Sequence, residues 1–166
     1  MLRRDDHLAI NTADACGDTP APNTGGDTEP TGPSVAAADP TATADSVLSV
    51  FGTTYGNLAT ANFDPSWGQA TDAVAGDVYV LNGLDYQGVD FGGNQDASAY
   101  AHIHLDYYTA DSTALQVFLI SPGTPAVETP YTLDVSATDQ WVSVDIPLAD
   151  FAPVDMANVF LSLIHI

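Results

Sequence analysis

Short apolar runs cut by turn chemistry limit this chain's folding options more than any other feature. After residue 40 the signals NG (82–83), GG (92–93), TADST (109–113), SPGTP (121–125) and SATDQ (136–140) break the sequence into pieces too short for ordinary helices. No 3.6-residue apolar period is sustained, although DSVLSVFGTTYGNL (45–58) has room for one helical turn. The pieces read as strands. They are SVLSVF (46–51), TDAVAGDVYVL (71–81) with a strand ending near Leu81, and a short extended piece around Tyr86–Phe91. AHIHLDYY (101–108) alternates strictly, and TALQVFLIS (113–121) is apolar on both faces, as a central strand would be. PYTLDV (130–135) is another strand, and WVSVDIPL (141–148) puts Val142, Val144, Ile146 and Leu148 on one face. The expected fold is all-β, an antiparallel β-sandwich.

Composition narrows the partners. The net charge is −20, and both cations are Arg3 and Arg4. A nucleic-acid surface needs Lys and Arg against phosphate, so nucleic acid is not an expected partner. Anionic membranes and anionic glycans are disfavoured on the same ground, short of a bridging cation. No apolar run approaches the roughly 20 residues of a membrane-spanning helix. Of the 22 acidic residues all but Glu29 and Glu128 are Asp, a composition that suits turns and strands better than helices.

Residues 17–40 contain nine Gly or Pro among 24 and almost no aliphatic bulk, so they cannot bury enough apolar surface to order themselves. Residues 1–40 are therefore expected to be a disordered N-terminal segment and linker, followed by a domain over 41–160. Cys16 is the single cysteine, which rules out an internal disulfide. It reads either as an unmodified linker cysteine or as a lipoprotein-type tether. MLRR resembles a signal n-region, but no apolar h-region follows it.

Four segments stand in a recognisable order: FDPSWGQ (63–69), LDYQGVDF (84–91), HIHLDYYTADSTALQVFLISPG (102–123) and WVSVDIPLADFAPVDMANVF (141–160). Together they resemble a β-sandwich accessory domain of secreted bacterial polysaccharide hydrolases, notably laminarinase-like members of glycoside hydrolase family sixteen. The resemblance implies a galactose-binding-like jelly roll with an accessory, glycan-binding role, in an extracellular or cell-surface protein that carries a tethered catalytic domain. The family pattern continues beyond Phe160 with a Lys-bearing strand and a final strand containing Leu-Asp-Asn. This chain reads LSLIHI, which resembles a translated sequencing adapter. Residues 161–166 are accordingly expected to be a non-native tail, leaving the sandwich without its last one or two strands and with an open edge. The alternative is a genuine C-terminal strand.

Three groups of residues carry candidate chemistry. Flat aromatics stack on the apolar faces of sugar rings, and amides and carboxylates bind their hydroxyls. Trp67 and Tyr86 lie in polar, turn-rich surroundings, with Asn94 and Gln95 near in sequence, and Tyr108 is a further candidate; all five are expected carbohydrate-binding residues. For Trp67, and more so for Trp141, the competing reading is a plug at one end of the core; Tyr107 shares the apolar row of its strand and reads as core. His102, His104 and Asp106 recur at every second residue, so a strand projects them from one face about 7 Å apart. Imidazole plus carboxylate suits zinc or a similar ion, against the reading of a polar face bonded across the sheet. Calcium is a possible cofactor through oxygen-rich turns such as DFGGNQD (90–96), where turn capping by Asp is the competing role.

Catalytic signatures are missing: no G-x-S-x-G, H-E-x-x-H, P-loop or E-x-D-x-x-E appears. The leading expectation is a non-catalytic module binding a neutral polysaccharide, with β-glucan as the choice the resemblance implies. The alternatives are a calcium-stabilised structural or adhesion spacer and a small metal-dependent hydrolase using His102, His104 and Asp106.

Overall fold

The computed structural model describes Leu2–Arg3, Asn11–Ala13, Pro33 and residues 37–166. The readings of 1–40 as linker and of Cys16 as a tether fall largely on residues outside those described. Eleven strands follow in chain order: β1 (Leu2–Arg3), β2 (Asn11–Ala13), β3 (Val47–Leu48), β4 (Asp72–Ala75), β5 (Tyr79–Asn82), β6 (Tyr86–Gln95), β7 (His102–Tyr108), β8 (Leu115–Ser121), β9 (Val127–Leu133), β10 (Trp141–Pro147) and β11 (Val159–His165). Helix is confined, among the described residues, to two 3-10 turns, Ala44–Ser46 and Leu148–Phe151. The protein is all-β and predominantly antiparallel.

The strands form two sheets. In the first, β10 lies along one side of β7, pairing residue for residue from Trp141↔Tyr108 to Pro147↔His102. On the other side of β7 come β1, which leads to β3, and β2, which runs parallel to both β7 and β5. β4 closes that side against β5. The second sheet is antiparallel throughout, in the order β6–β11–β8–β9.

One core lies between the sheets. The alternation read from sequence supplies it: Ile103, Leu105 and Tyr107 from β7 and Ile146 from β10 meet Val89 and Phe91 from β6, Val117 and Leu119 from β8, and Ile164 from β11. Tyr107 is in the core, as its row requires. Phe51, Phe63 and Tyr79 close one end, with ring centroids 5.5–5.7 Å apart in tilted and edge-to-face contacts.

The strand ending near Leu81 is β5, and the structure adds detail in three places. TDAVAGDVYVL is a hairpin of two strands, β4 and β5, because Gly76-Asp77 turns the chain and the Gly76 N–H bonds back to the Val78 carbonyl at 3.0 Å. The extended piece at Tyr86–Phe91 runs on to Gln95: Gly92 and Gly93 sit inside the strand, beside a register shift between Val159 and Leu161. A side chain at Gly92 would collide with the Thr60 carbonyl, and its φ of +70° suits glycine. Finally, residues 161–165 form the body of β11, which pairs with β6 on one side and β8 on the other. Residues 161–165 thus take an interior place in the second sheet.

Candidate functional site

The loop at 63–71 precedes β4 in the chain, yet it lies against the start of β6. Its position is fixed by a set of side-chain hydrogen bonds. Asp85 collects donors: the Tyr86 N–H at 2.7 Å and the Thr71 N–H at 3.2 Å reach Oδ1, and the Ala70 N–H reaches Oδ2 at 3.1 Å. The Thr71 hydroxyl donates to the same carboxylate at 2.8 Å and accepts the Asp85 N–H at 3.1 Å. The backbone donors of Tyr86 and Ala70, then the Thr71 hydroxyl, hold the Asp85 carboxyl well below the usual carboxylate range.

Gln87 lies one position further along β6 and is buried at 1% exposure. Its amide donates to the Phe63 carbonyl at 3.1 Å, and the Tyr79 hydroxyl donates to that same carbonyl. Burial, with the nearby Asp64 charge second, pushes the Tyr79 phenol above its ordinary value, so it remains a donor. Within the loop, Gln69 folds back: its Oε1 accepts the Trp67 N–H at 2.9 Å and its amide donates to the Pro65 carbonyl at 2.6 Å. The Tyr86 hydroxyl donates to the Trp67 carbonyl at 3.0 Å.

All of these bonds position Trp67. It is the one aromatic left exposed among the described residues, at 45%. A Cβ built on Gly88 would meet indole Cζ3 at 2.2 Å, with its ring neighbours Cε3 and Cη2 both at 3.1 Å. That symmetry is the pattern of a ring edge; a ring lying face-down would bring both neighbours closer. The indole therefore stands edge-down on Gly88, on the outer face of the second sheet, like a fin. Any residue larger than glycine at 88 would push it off.

Of the five expected carbohydrate-binding residues, the structure brings together Trp67 and Tyr86. Asn94 and Gln95 sit at the opposite end of β6, eight and nine positions along the strand from Tyr86. There the Asn94 amide donates to the side-chain Oδ1 of Asn158 at 3.1 Å, and Gln95 to the Gly93 backbone carbonyl at 3.3 Å. Tyr108 is in the other sheet, where its ring meets Trp141 edge-to-face at 5.9 Å. Trp141 is half-buried and lies outside the main core.

The row His102–His104–Asp106 projects from the outer face of β7, opposite Pro147, Asp145 and Ser143 of β10. His104 Nδ1 lies 2.6 Å from Asp145 Oδ1, and Nε2 lies 3.5 Å from Asp106 Oδ2. The Ser143 hydroxyl donates to the other Asp106 oxygen. Burial opposes charge on His104, but hydrogen bonds to Asp106 and Asp145 and their charges outweigh it, so the imidazole titrates above its ordinary value. Metal ligation needs an imidazole lone pair aimed at the ion. Both His104 nitrogens are instead turned to carboxylates. Among the described residues no group of three or more His, Cys, Asp or Glu converges as a metal site. In DFGGNQD, Asp90 Oδ1 accepts the Gly92 N–H at 2.8 Å, and Asp96 Oδ1 accepts both the N–H and the hydroxyl of Ser98. These carboxylates cap their own turns.

Asp85, Gln87, Gly88 and Gln69 were not singled out from the sequence. The signal for them is faint: a polar residue at a core position of a strand (Gln87), and a glycine inside a strand pattern (Gly88), which marks close approach by another group. No family model matches the chain, and no curated protein or solved structure matches it. Among the described residues no helix is long and apolar enough to cross a membrane.

Proposed function

We propose that this chain is a non-catalytic carbohydrate-binding module of the jelly-roll kind. Its ligand is a neutral polysaccharide, a β-glucan, and its role is to keep a tethered glycoside hydrolase near that substrate outside the cell. Tethering raises the effective concentration of enzyme at the polymer without any new catalytic contact. The observation that carries this reading is the Trp67 fin, an exposed indole held upright on Gly88 while the polar groups around it fix its backbone. An apolar side chain costs solvation when left exposed, yet Gln69 and Tyr86 bond the backbone of this one and hold it in place. A fixed indole face suits the apolar side of a pyranose ring, because little conformational entropy is lost when the sugar docks. The lack of Lys and Arg after Arg4 favours a ligand without charge.

Affinity electrophoresis through gels containing laminarin, mixed-linkage glucan, xylan or alginate tests the reading. Retardation by one neutral glucan, abolished by Trp67→Ala with the thermal midpoint unchanged, is the expected result. Uniform migration of folded protein in every gel would replace it with the spacer role.

A further inference from the structure

The register of the second sheet sorts its outer face into rows that cross all four strands. Core residues Val89, Val117, Leu119 and Ile164 fix which face is inner, and the alternate residues look outward. One row reads Gly88, Leu163, Phe118, Pro130, and Trp67 stands on its first member. The next row reads Tyr86, His165, Gln116, Thr132. The first is apolar throughout. The second is polar throughout, and the Gln116 amide donates to the Thr132 hydroxyl at 3.1 Å. Pro130, Thr132 and His165 are exposed, and Leu163, Phe118 and Gln116 are half-buried, so this part of the face meets solvent.

We infer that the ligand is an extended neutral glycan chain lying across the strands, from Trp67 over β6 to Pro130 and Thr132 on β9. The inference rests on the binding-module reading and specifies its ligand as a chain interior rather than a chain end. Each sugar unit presents an apolar ring face and an edge of hydroxyls. An apolar row running beside a polar row matches that pattern over three inter-strand steps, roughly 14 Å. A single stacking residue would need only one sugar. The Phe118 ring and the Gln116–Thr132 pair lie two and three strands away from the fin, where only a longer chain reaches them. Neither of these two rows carries a carboxylate; Asp90 and Glu128 lie in the row beyond, at the two edge strands. With no Lys or Arg from residue 37 onward, an anionic polymer has no fixed positive charge to pair with on this face.

Calorimetric titration of the full chain with β-1,3-gluco-oligosaccharides, from disaccharide to hexasaccharide, separates the two ideas. Trp67→Ala is expected to weaken every length. Phe118→Ser and Gln116→Ala are expected to weaken the hexasaccharide by on the order of tenfold while leaving the disaccharide unchanged. Gln116→Ala removes a half-buried amide and guards against a folding defect in Phe118→Ser. Equal loss at all lengths, or no loss at any, from both variants would overturn the crossing chain and leave the Trp67 platform standing. Absence of binding by every oligosaccharide, or full binding by Trp67→Ala, would overturn the module reading and this inference with it.

Discussion

The outer face of the first sheet and the loop packed on β6 use polar side chains in opposite ways. On β7 and β10 the polar groups satisfy one another: Asp145, His104, Asp106 and Ser143 form one chain of contacts across the strand pair. On the loop at 63–71 and β6 they hold backbone instead: Asp85, Gln69, Gln87 and Tyr86 all bond to main-chain groups. The first arrangement is closed and stiffens the pairing of β10, whose one partner among the described residues is β7. The second ends in an exposed aromatic. One set of polar groups closes on itself; the other fixes one solvent-facing ring.

Substitutions on both faces test this contrast. The largest effect is expected from Gln87→Leu, which removes a buried amide bonded to the Phe63 and Gly88 carbonyls and should cost about 1–3 kcal/mol in denaturant melts. It should also loosen Trp67, seen as a red-shifted, more quenchable fluorescence. If stability falls and the fluorescence of the Trp141→Phe background does not move, the loop does not depend on β6. Gly88→Ala should cost less in stability, because the displaced group is an exposed side chain. Its effect should appear in glucan retention, which an unchanged mobility shift would refute.

Acid should act through Asp85. Its carboxyl is depressed in the folded state, so its contribution is present above the unfolded carboxylate pKa of about 4 and fades as pH falls below that. The thermal midpoint should drop below about pH 4, and Asp85→Asn should flatten that slope. The smallest effect belongs to His104. Its pKa is raised, so its stabilisation is complete below about pH 6.5 and is lost as pH rises through the folded value. The pair is partly open to water, so less than about 1 kcal/mol is at stake. Comparing melting curves of the native chain and Asp145→Asn across that pH range measures it; identical slopes would show that the clasp carries no net stability.

Much of the sandwich could be read from residues alone. β7 and β10 carry an unbroken alternation, and TALQVFLIS announces a strand with neighbours on both sides, as β8 has in β11 and β9. What escaped was set by pairing rather than pattern. Gly92-Gly93 reads as a turn, yet pairing with β11 carries β6 through it. Asn94 and Gln95 are close to Tyr86 in sequence, and an extended strand turns that closeness into distance. Trp67 and Gly88 are 21 positions apart, and nothing local announces that one stands on the other. The metal-like row looked the same either way: sequence gives H-x-H-x-D, and only the facing strand supplies the Asp145 and Ser143 that occupy it.

The placement of β11 bears on how the fold is reached. Among the described residues the strand that pairs with β6 is β11, although more than sixty residues separate Gln95 from Val159 in the chain. Contacts this distant in sequence form late, because a long loop must close before they contribute. The β8–β9 hairpin joins near neighbours and can form early. The strand that carries Gly88 waits for β11 to dock between the two, so the footing of the indole should be among the last parts of the molecule to form, with a refolding rate that tracks the β6–β11 pairing and not the hairpins.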